Sequence, residues 1–431
     1  MGKTSAKGSS RREFLKTTAI GLGAVAMGGL LLGEARGGEE PIRIGMINAL
    51  EGECAQWGIP ITRGGQIWAD EHNAQGGLLC GDGKRHPIEY GAYNDVCYLP
   101  NEELKAAKKA VLEDKKKYLF QTWTPSCRQA IAELTNQEKV LVNSYGAGYL
   151  SPKYPFLMGG ITGTPHAYMA VTAAVIEKKP EIKRFAVVCT DESYGIAARW
   201  YVEAALAPYK DRVAVVYNKN FPSDLTEYSS LMGSVIKQKP DAIFTIGLPP
   251  SGTALLLEAA DHLGYEGYWL NESWPFPHIL KRVAKEKLEG RLFSGYAVEA
   301  SVPGYSERAH NMYQTYVKQF GADDWIIDAS STYESFCTWE VGLQAAKSID
   351  PQTVMETLYA LPEIDHPISG KAIWGGMEIF GANYHLLTPV PIYVGKDGQY
   401  AFEEKFDFAA WWQKNKDLLL PVLKEGGQVS A

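Results

Sequence analysis

Hydrophobic residues alternate with polar or small ones from Ile42 through Ile44 to Met46, and Ile47 follows; this period of two predicts a first β-strand. At Asn48 the pattern gives way to small, acidic and Gly residues that cannot continue a buried strand. Gly52 and Gly58 suit a tight turn. Ile59–Asn73 then reads as a helix, with Ile61, Ile67, Trp68 and His72 loosely at helical spacing and Gly76-Gly77 as its stop. Open α/β sheets bind ligands on loops at the carboxyl ends of strands, so Pro41–Gly58 is a candidate ligand loop; the same residues also fit an ordinary βα turn.

The alternation repeats. His86–Ala92 reads as a second strand, and Asn101–Asp114 as a helix with Asn101 as its N-cap. Tyr118–Thr122 is a third strand, Thr124-Pro125-Ser126 opens a helix to about Asn136, and Val140–Asn143 is a fourth strand. Such alternation favours right-handed βαβ units and a parallel sheet. The Pro- and Gly-rich connection Tyr149–Pro165 reads as a crossover into a second domain, where alternation restarts with helix His166–Glu177 and strand Phe185–Cys189. It continues to strand Gly267–Asn271, and Arg291–Tyr296 looks like a strand that crosses back. Three helices follow, over about Tyr305–Phe320, Ile326–Ser348 and Pro351–Leu361. Gly381–Pro391 is a candidate third crossing, Pro391–Phe406 a hairpin around Lys396-Asp397-Gly398, and Phe408–Leu423 a last helix.

A chain of 431 residues suggests two or three domains. A net charge of -7 argues against a nucleic-acid partner, which needs a basic face. The 11 Trp and 24 Tyr leave material for a stacking site, although they also suit a core. At the N-terminus, Ser10-Arg11-Arg12-Glu13-Phe14-Leu15-Lys16 resembles the twin-arginine motif, and a mildly apolar run, Thr17–Leu32, follows it. Gly33 and Ala35 offer small residues at a cleavage site, so residues 1–35 are expected to be an export signal and the mature protein periplasmic.

The six cysteines show no metal-binding spacing, and in an oxidising compartment some should pair. Cys54, Cys97 and Cys127 each follow a predicted strand, at loops that neighbour one another in a parallel sheet; Cys97–Cys127 is the expected pair, with Cys80 as a competitor.

IRIGMINALEGECAQWG, beginning at Ile42, resembles the opening of the branched-chain amino-acid and amide family of periplasmic solute-binding proteins. Asn73-Ala74-Gln75-Gly76-Gly77, Tyr93-Asn94-Asp95 with Cys97, Asp191-Glu192-Ser193-Tyr194-Gly195 and Gly375-Gly376-Met377-Glu378-Ile379-Phe380-Gly381 are similar to further family stretches, in the same order. The resemblance covers nearly all of the mature chain. It implies a type I periplasmic binding protein fold: α/β, with two doubly wound parallel-sheet lobes joined by a three-crossover hinge. Lobe one is expected over 41–161 plus 297–385 and lobe two over 162–296 plus 386–431. It further implies capture of a small molecule (an amino acid, amide or urea, or aromatic acid) for the membrane permease of an ABC importer. We expect a monomer without a cofactor.

Carried over residue by residue, the resemblance places Thr124, with Ser126 nearby, at a ligand carboxylate. The loop Ser144-Tyr145-Gly146-Ala147 lines the site, Tyr194 closes over the ligand and Glu272 meets an ammonium. A helix N-terminus also favours an anion near Thr124 on physical grounds. Glu51-Gly52 stands where the family has Ser-Gly, and Trp57, Trp123, Tyr145 and Trp274 are candidate aromatic walls. Each assignment has a plainer alternative: Thr124 as a bare N-cap, Tyr194 as interface packing, Glu272 as a solvated charge, the aromatic residues as core. Closure is expected about crossovers near Ile161, Tyr296 and Leu386. Two rival classes stand beside this one. An exported enzyme lacks support from any G-x-S-x-G, H-E-x-x-H, P-loop or G-x-G-x-x-G motif, although Asp95, Glu272 and His385 are an available acid–base set. A sensory module would hand the same ligand signal to a separate chain.

Overall fold

The computed structural model describes residues 39–429 apart from 122, 123, 145, 147, 162 and 164. The stretch read as an export signal lies outside the described residues. Lobe one is built on four parallel strands, β1 (Ile42–Asn48), β2 (Ile88–Asn94), β3 (Tyr118–Gln121) and β4 (Leu141–Asn143), in the order β2-β1-β3-β4. β1 is buried along nearly its whole length, as a central parallel strand must be.

Lobe two carries β5 (Arg184–Thr190), β6 (Ala214–Phe221), β7 (Ala242–Ile246), β8 (Tyr268–Asn271), β9 (Leu292–Gly295), β10 (Val390–Lys396) and β11 (Gln399–Phe406). Their order is β11-β10-β9-β8-β7-β5-β6. β5 to β9 run parallel, whereas β10 joins β9 antiparallel and β11 pairs with β10 as the expected hairpin. In both sheets the strand order reverses beside the first strand, between β1 and β3 and between β5 and β7. Such switch points open a crevice at the carboxyl ends of the strands.

The chain passes between the sheets after β4, after β9 and before β10. The first and third crossings are stitched together. Gly159 N–H donates to Tyr384 O at 2.7 Å, Leu386 N–H to Gly159 O at 3.1 Å, and His385 Nε2 to Ile161 O at 3.1 Å. The helix Ile327–Ala345 is buried almost all round and packs along the helix Ala55–Ala74 beside the first sheet.

Local differences from the sequence reading have physical causes. The first helix begins at Ala55 rather than Ile59, because the Trp57 and Gly58 amides already reach back to Cys54 O, at 3.0 and 3.1 Å. Asn101 is not an N-cap: Pro100, with its fixed φ, takes the first helical position and Leu99 precedes it. Ile364–His366, Gly370–Gly375 and His385–Leu387 form a small antiparallel ribbon. These strands were too short to leave a clear period in the sequence.

Candidate functional site

The two switch points face each other across a cleft of ≈ 590 Å³. Lobe one contributes the loop after β1 with Cys54 and Trp57, the loop after β2 with Cys97 to Pro100, Thr124 and Ser126 after β3, and Ile326 with Asp328. Lobe two contributes Glu192 to Tyr194 after β5, Ile246 to Pro250 after β7, and Asn271 to Ser273 after β8. The walls are apolar at Trp57, Ile61, Leu99, Leu248 and Pro249. At Gly247, with φ of +98°, a Cβ would sit 1.9 Å from Thr190 Oγ1, so only glycine lets this loop pass so close to β5.

Thr124 precedes the helix Pro125–Gln137, yet its hydroxyl makes no capping bond. Thr124 thus holds the N-cap position without capping through its side chain, and the buried residue lines the cleft. Ser126 Oγ lies 3.3 Å from Ser193 Oγ, which brings the two lobes into contact. On the second lobe, Glu192 caps the helix Ser193–Leu206, accepting the Tyr194 and Gly195 amides at 2.9 and 3.3 Å. That cap sets the direction of Tyr194, whose hydroxyl donates to Glu272 Oε1 at 2.5 Å. Tyr168 donates to the other oxygen, Oε2, at 3.0 Å. The Glu272 backbone is also pinned: its N–H donates to Asn271 Oδ1 at 2.6 Å and Ser294 Oγ donates to its carbonyl. Glu272 is thus no solvated loop charge, being 7% exposed.

Burial raises the Glu272 carboxyl well above the usual carboxylate range, and the charge of Asp328 adds to the rise against the opposing phenol bonds. Asp328 is raised too, by burial and then by Glu299. Asp328 opens the helix Ile327–Ala345 and was not singled out from sequence; an acid in the first turn of a helix is usually only a dipole partner. Tyr168 was also missed, because its helix is buried on every side and gives no polar signal.

Some expectations need correction. Trp274 does not line the cleft: it is 2% exposed, and its indole N–H donates to Phe293 O at 2.9 Å inside the second lobe. Gly146 is not a lining residue either; its carbonyl accepts the Ser144 hydroxyl at 2.9 Å. Trp123, Tyr145 and Ala147 lie outside the described residues. Cys97 pairs with Cys54, not with Cys127. The first-helix turn brings the Cα atoms of Cys54 and Cys97 within 5.4 Å, whereas the Cys127 thiol is buried and donates to Tyr98 O at 3.0 Å. The flanking Val96 and Tyr98 take left-handed φ of +71° and +57°, conformations that cost about 1–3 kcal/mol each and persist only because the surrounding loop holds them. Of the acid–base set only Glu272 reaches the cleft; Asp95 lies outside its lining, and His385 is at the hinge.

A second groove, of ≈ 870 Å³ on lobe one, is lined by Glu71, Arg308, Tyr333 and Glu340 among others. Within it Arg308 holds Glu340 at 3.0 and 2.7 Å.

Comparison with known proteins agrees with this geometry. The sequence pattern of the family described as periplasmic binding protein matches residues 41–399. A Leu/Ile/Val-binding protein of Escherichia coli K12 is 23% identical over 323 residues, 74% of this chain and 83% of that protein. A solute-binding protein of an R. palustris ABC transporter, solved with 4-hydroxybenzoate, superposes with a TM-score of 0.67 at 18% identity, over 85% of this chain and 96% of the other. The branched-chain amino-acid binding protein LivJ of Streptococcus pneumoniae, solved with isoleucine, gives a TM-score of 0.67 at 15% identity, over 84% and 99%.

Proposed function

Because this chain belongs to the periplasmic binding protein family, we propose that it is the solute-capturing component of an ABC importer, exported by the twin-arginine route and working in the periplasm. The observation that carries the reading is the opposition of Thr124 and Ser126 on one lobe to Tyr194 and Glu272 on the other, across a closed cleft. Free N–H groups at the start of the helix Pro125–Gln137 and the Thr124 hydroxyl, which accepts a long bond from Gln121 Nε2 at 3.5 Å and can still donate, offer a first docking point on lobe one. Rotation about the stitched crossovers then brings Tyr194 and Glu272 over the solute. The closed form is the state a membrane permease reads, since a ligand shifts the equilibrium only through contacts it gains on closure. Binding without turnover fits the company the chain keeps, because the relatives named above are solute-binding proteins.

Those relatives hold an amino acid or an aromatic acid, and amides and urea complete the candidate set. Titration calorimetry of the dialysed protein with such a panel tests the reading, together with mass spectrometry of any solute that co-purifies. At least one solute should bind with micromolar or better affinity and remain unchanged after incubation. Tyr194→Phe should weaken it about tenfold or more, the usual cost of losing a hydrogen bond to a charged group. A panel in which nothing binds, or a solute converted to product, overturns the proposal.

A further inference from the structure

We propose that the cleft selects a solute of net positive charge, an organic amine or amidine with an apolar body, and that Asp328 and Glu272 close on its cationic group from opposite lobes. This rests on the solute-binding reading above and deepens it by naming the charge class of the ligand.

The lining is one-sided in charge. Glu53, Glu192, Asp224, Glu272 and Asp328 face the cleft, and no Lys, Arg or His lines it among the described residues. Glu53 and Asp224 are exposed at the rim, where water screens them. Glu272 and Asp328 are 7% and 5% exposed. Arg128, buried in the helix behind Thr124, is directed elsewhere: it donates to Tyr149 O at 3.3 Å and to Met158 O at 2.9 Å.

Asp328 adds a second, independent observation. Its carboxylate lines the cleft with no side-chain hydrogen-bond partner among the described residues. A buried carboxylate without a partner is costly in its charged form unless something brings a matching cation. Glu272 has its two phenols, Tyr194 and Tyr168, but phenols supply hydrogen bonds and no charge. The two acids also come from different lobes. Glu272 follows β8 in the second sheet, whereas Asp328 sits on the helix that packs along Ala55–Ala74 beside the first. With the cleft empty, two carboxylates approaching one another oppose closure. With a cation between them, each attracts the ligand most strongly when the lobes are shut. The same pair therefore sets ligand charge and couples it to closure.

A zwitterionic solute suits this cleft less well. Its carboxylate finds hydroxyls at Thr124 and Ser126, but it leaves one buried acid without a counter-charge. A purely anionic solute finds the same hydroxyls but no cationic side chain among the described lining residues, and it faces both acids.

The test uses pairs of matched shape on the dialysed full chain: leucine against leucinamide, and 4-hydroxybenzoate against 4-hydroxybenzylamine, each titrated by calorimetry. Lysine and cadaverine extend the cationic arm. The cationic member of a pair should bind at least tenfold tighter. Asp328→Asn should erase that preference, and Asp328→Glu should restore part of it, with circular dichroism verifying the fold of each. A second readout is proton release on binding near pH 6.5, measured in two buffers of different ionisation enthalpy. The groups facing the acid pair are Tyr98, Tyr168, Tyr194, Tyr400, Glu192 and Glu299. None of them is a cation, so entry of a positive ligand should drive protons off the pair, and Asp328→Asn should reduce that release. A zwitterion or anion that binds as tightly as its cationic mate, or a preference that survives in Asp328→Asn, overturns the charge assignment and leaves the solute-binding reading standing. Failure of every probe and of the wider solute panel overturns both.

Discussion

Gln56 and Ser251 clasp the two lobes: the Gln56 amide nitrogen Nε2 donates to Ser251 Oγ at 3.3 Å, and its Oε1 accepts the Ser251 backbone N–H at 3.3 Å. Gln56 lies in the opening turn of the first helix and Ser251 in the helix that follows β7. Separating the lobes would break this contact, so it favours the closed state, and neither residue is among those proposed to hold the solute. Gln56→Ala should weaken solute binding by about twofold to fivefold, as two half-exposed hydrogen bonds worth roughly 0.5–1 kcal/mol together would dictate. Most of the change should appear as faster dissociation, because closure traps the ligand after it has docked. Stopped-flow release of a bound solute measures it, and an unchanged release rate would show that the clasp does not hold the cleft shut.

Gly64 marks where the first helix crosses Ile327–Ala345. A Cβ built there would lie 2.1 Å from the Ala329 carbonyl oxygen, a backbone atom that no rotamer change can move aside. Ala329 neighbours Asp328, so the crossing also sets the depth at which that carboxylate enters the cleft. Gly64→Ala should cost about 1–3 kcal/mol or more by forcing the helices apart. Urea unfolding with tryptophan fluorescence reads this as a lower midpoint, and solute affinity should fall with it. Gly52→Ala is the comparison: a Cβ there meets nothing within 4 Å, so any cost comes from its φ of +72° alone.

The lobes, the hairpin and the third crossing were legible because each rests on a period or a turn that only one structure satisfies. Ile42, Ile44 and Met46 alternate, and the hairpin turns at Asp397 and Gly398 with φ of +51° and +76°. Tyr194 and Glu272 were legible as the ends of recognisable loops, and the structure joins them directly. Trp274 was misread because an aromatic residue in a loop looks the same in sequence whether it faces solvent or core; only Phe293 O, nineteen residues away, decides it. Asp328 was invisible for the opposite reason. Its role depends on Glu272, 56 positions earlier, and no local pattern records that pairing. The cysteine pairing failed on a boundary. With the helix starting at Ile59, Cys54 lies in open loop; with it starting at Ala55, Cys54 is held against Cys97.

That pairing makes a count. Cys80, Cys127, Cys189 and Cys337 are free and buried. Denatured, unreduced protein should therefore titrate four thiols and reduced protein six. The bridge closes a separation of 43 residues, which on the chain-entropy account contributes about 4 kcal/mol. Cys97→Ser should lower the unfolding midpoint accordingly and loosen the loop that carries Tyr98, whereas Cys127→Ser should leave the count of bridges unchanged. Two bridges, or one that persists in Cys97→Ser, would overturn the pairing.

At the hinge, His385 lies against His166 with ring centroids 4.4 Å apart and the rings tilted by 46°, and both are buried. Burial, aided by the charge of Arg128, lowers His385 to about 4, against the opposing bond to Ile161 O. His166 is lowered as well, by burial and then by His385. Both imidazoles are neutral in the fold, while an unfolded chain protonates them below pH ~6.5. The stability they protect is complete above that pH and is lost as pH falls towards 4. A shift from 6.5 to about 4 corresponds to on the order of 3 kcal/mol for His385. Raised carboxyls such as Glu334, held up to about 7 by burial, act with the opposite sign over part of this range, so the absolute profile mixes the two. The comparison that isolates the imidazole is wild type against His385→Gln, which keeps a donor for Ile161 O and cannot titrate. Between pH 6.5 and 4 the variant should lose less stability than the wild type in urea unfolding, and the two profiles should run parallel above pH 7. Parallel profiles throughout would mean that His385 takes up no proton on unfolding.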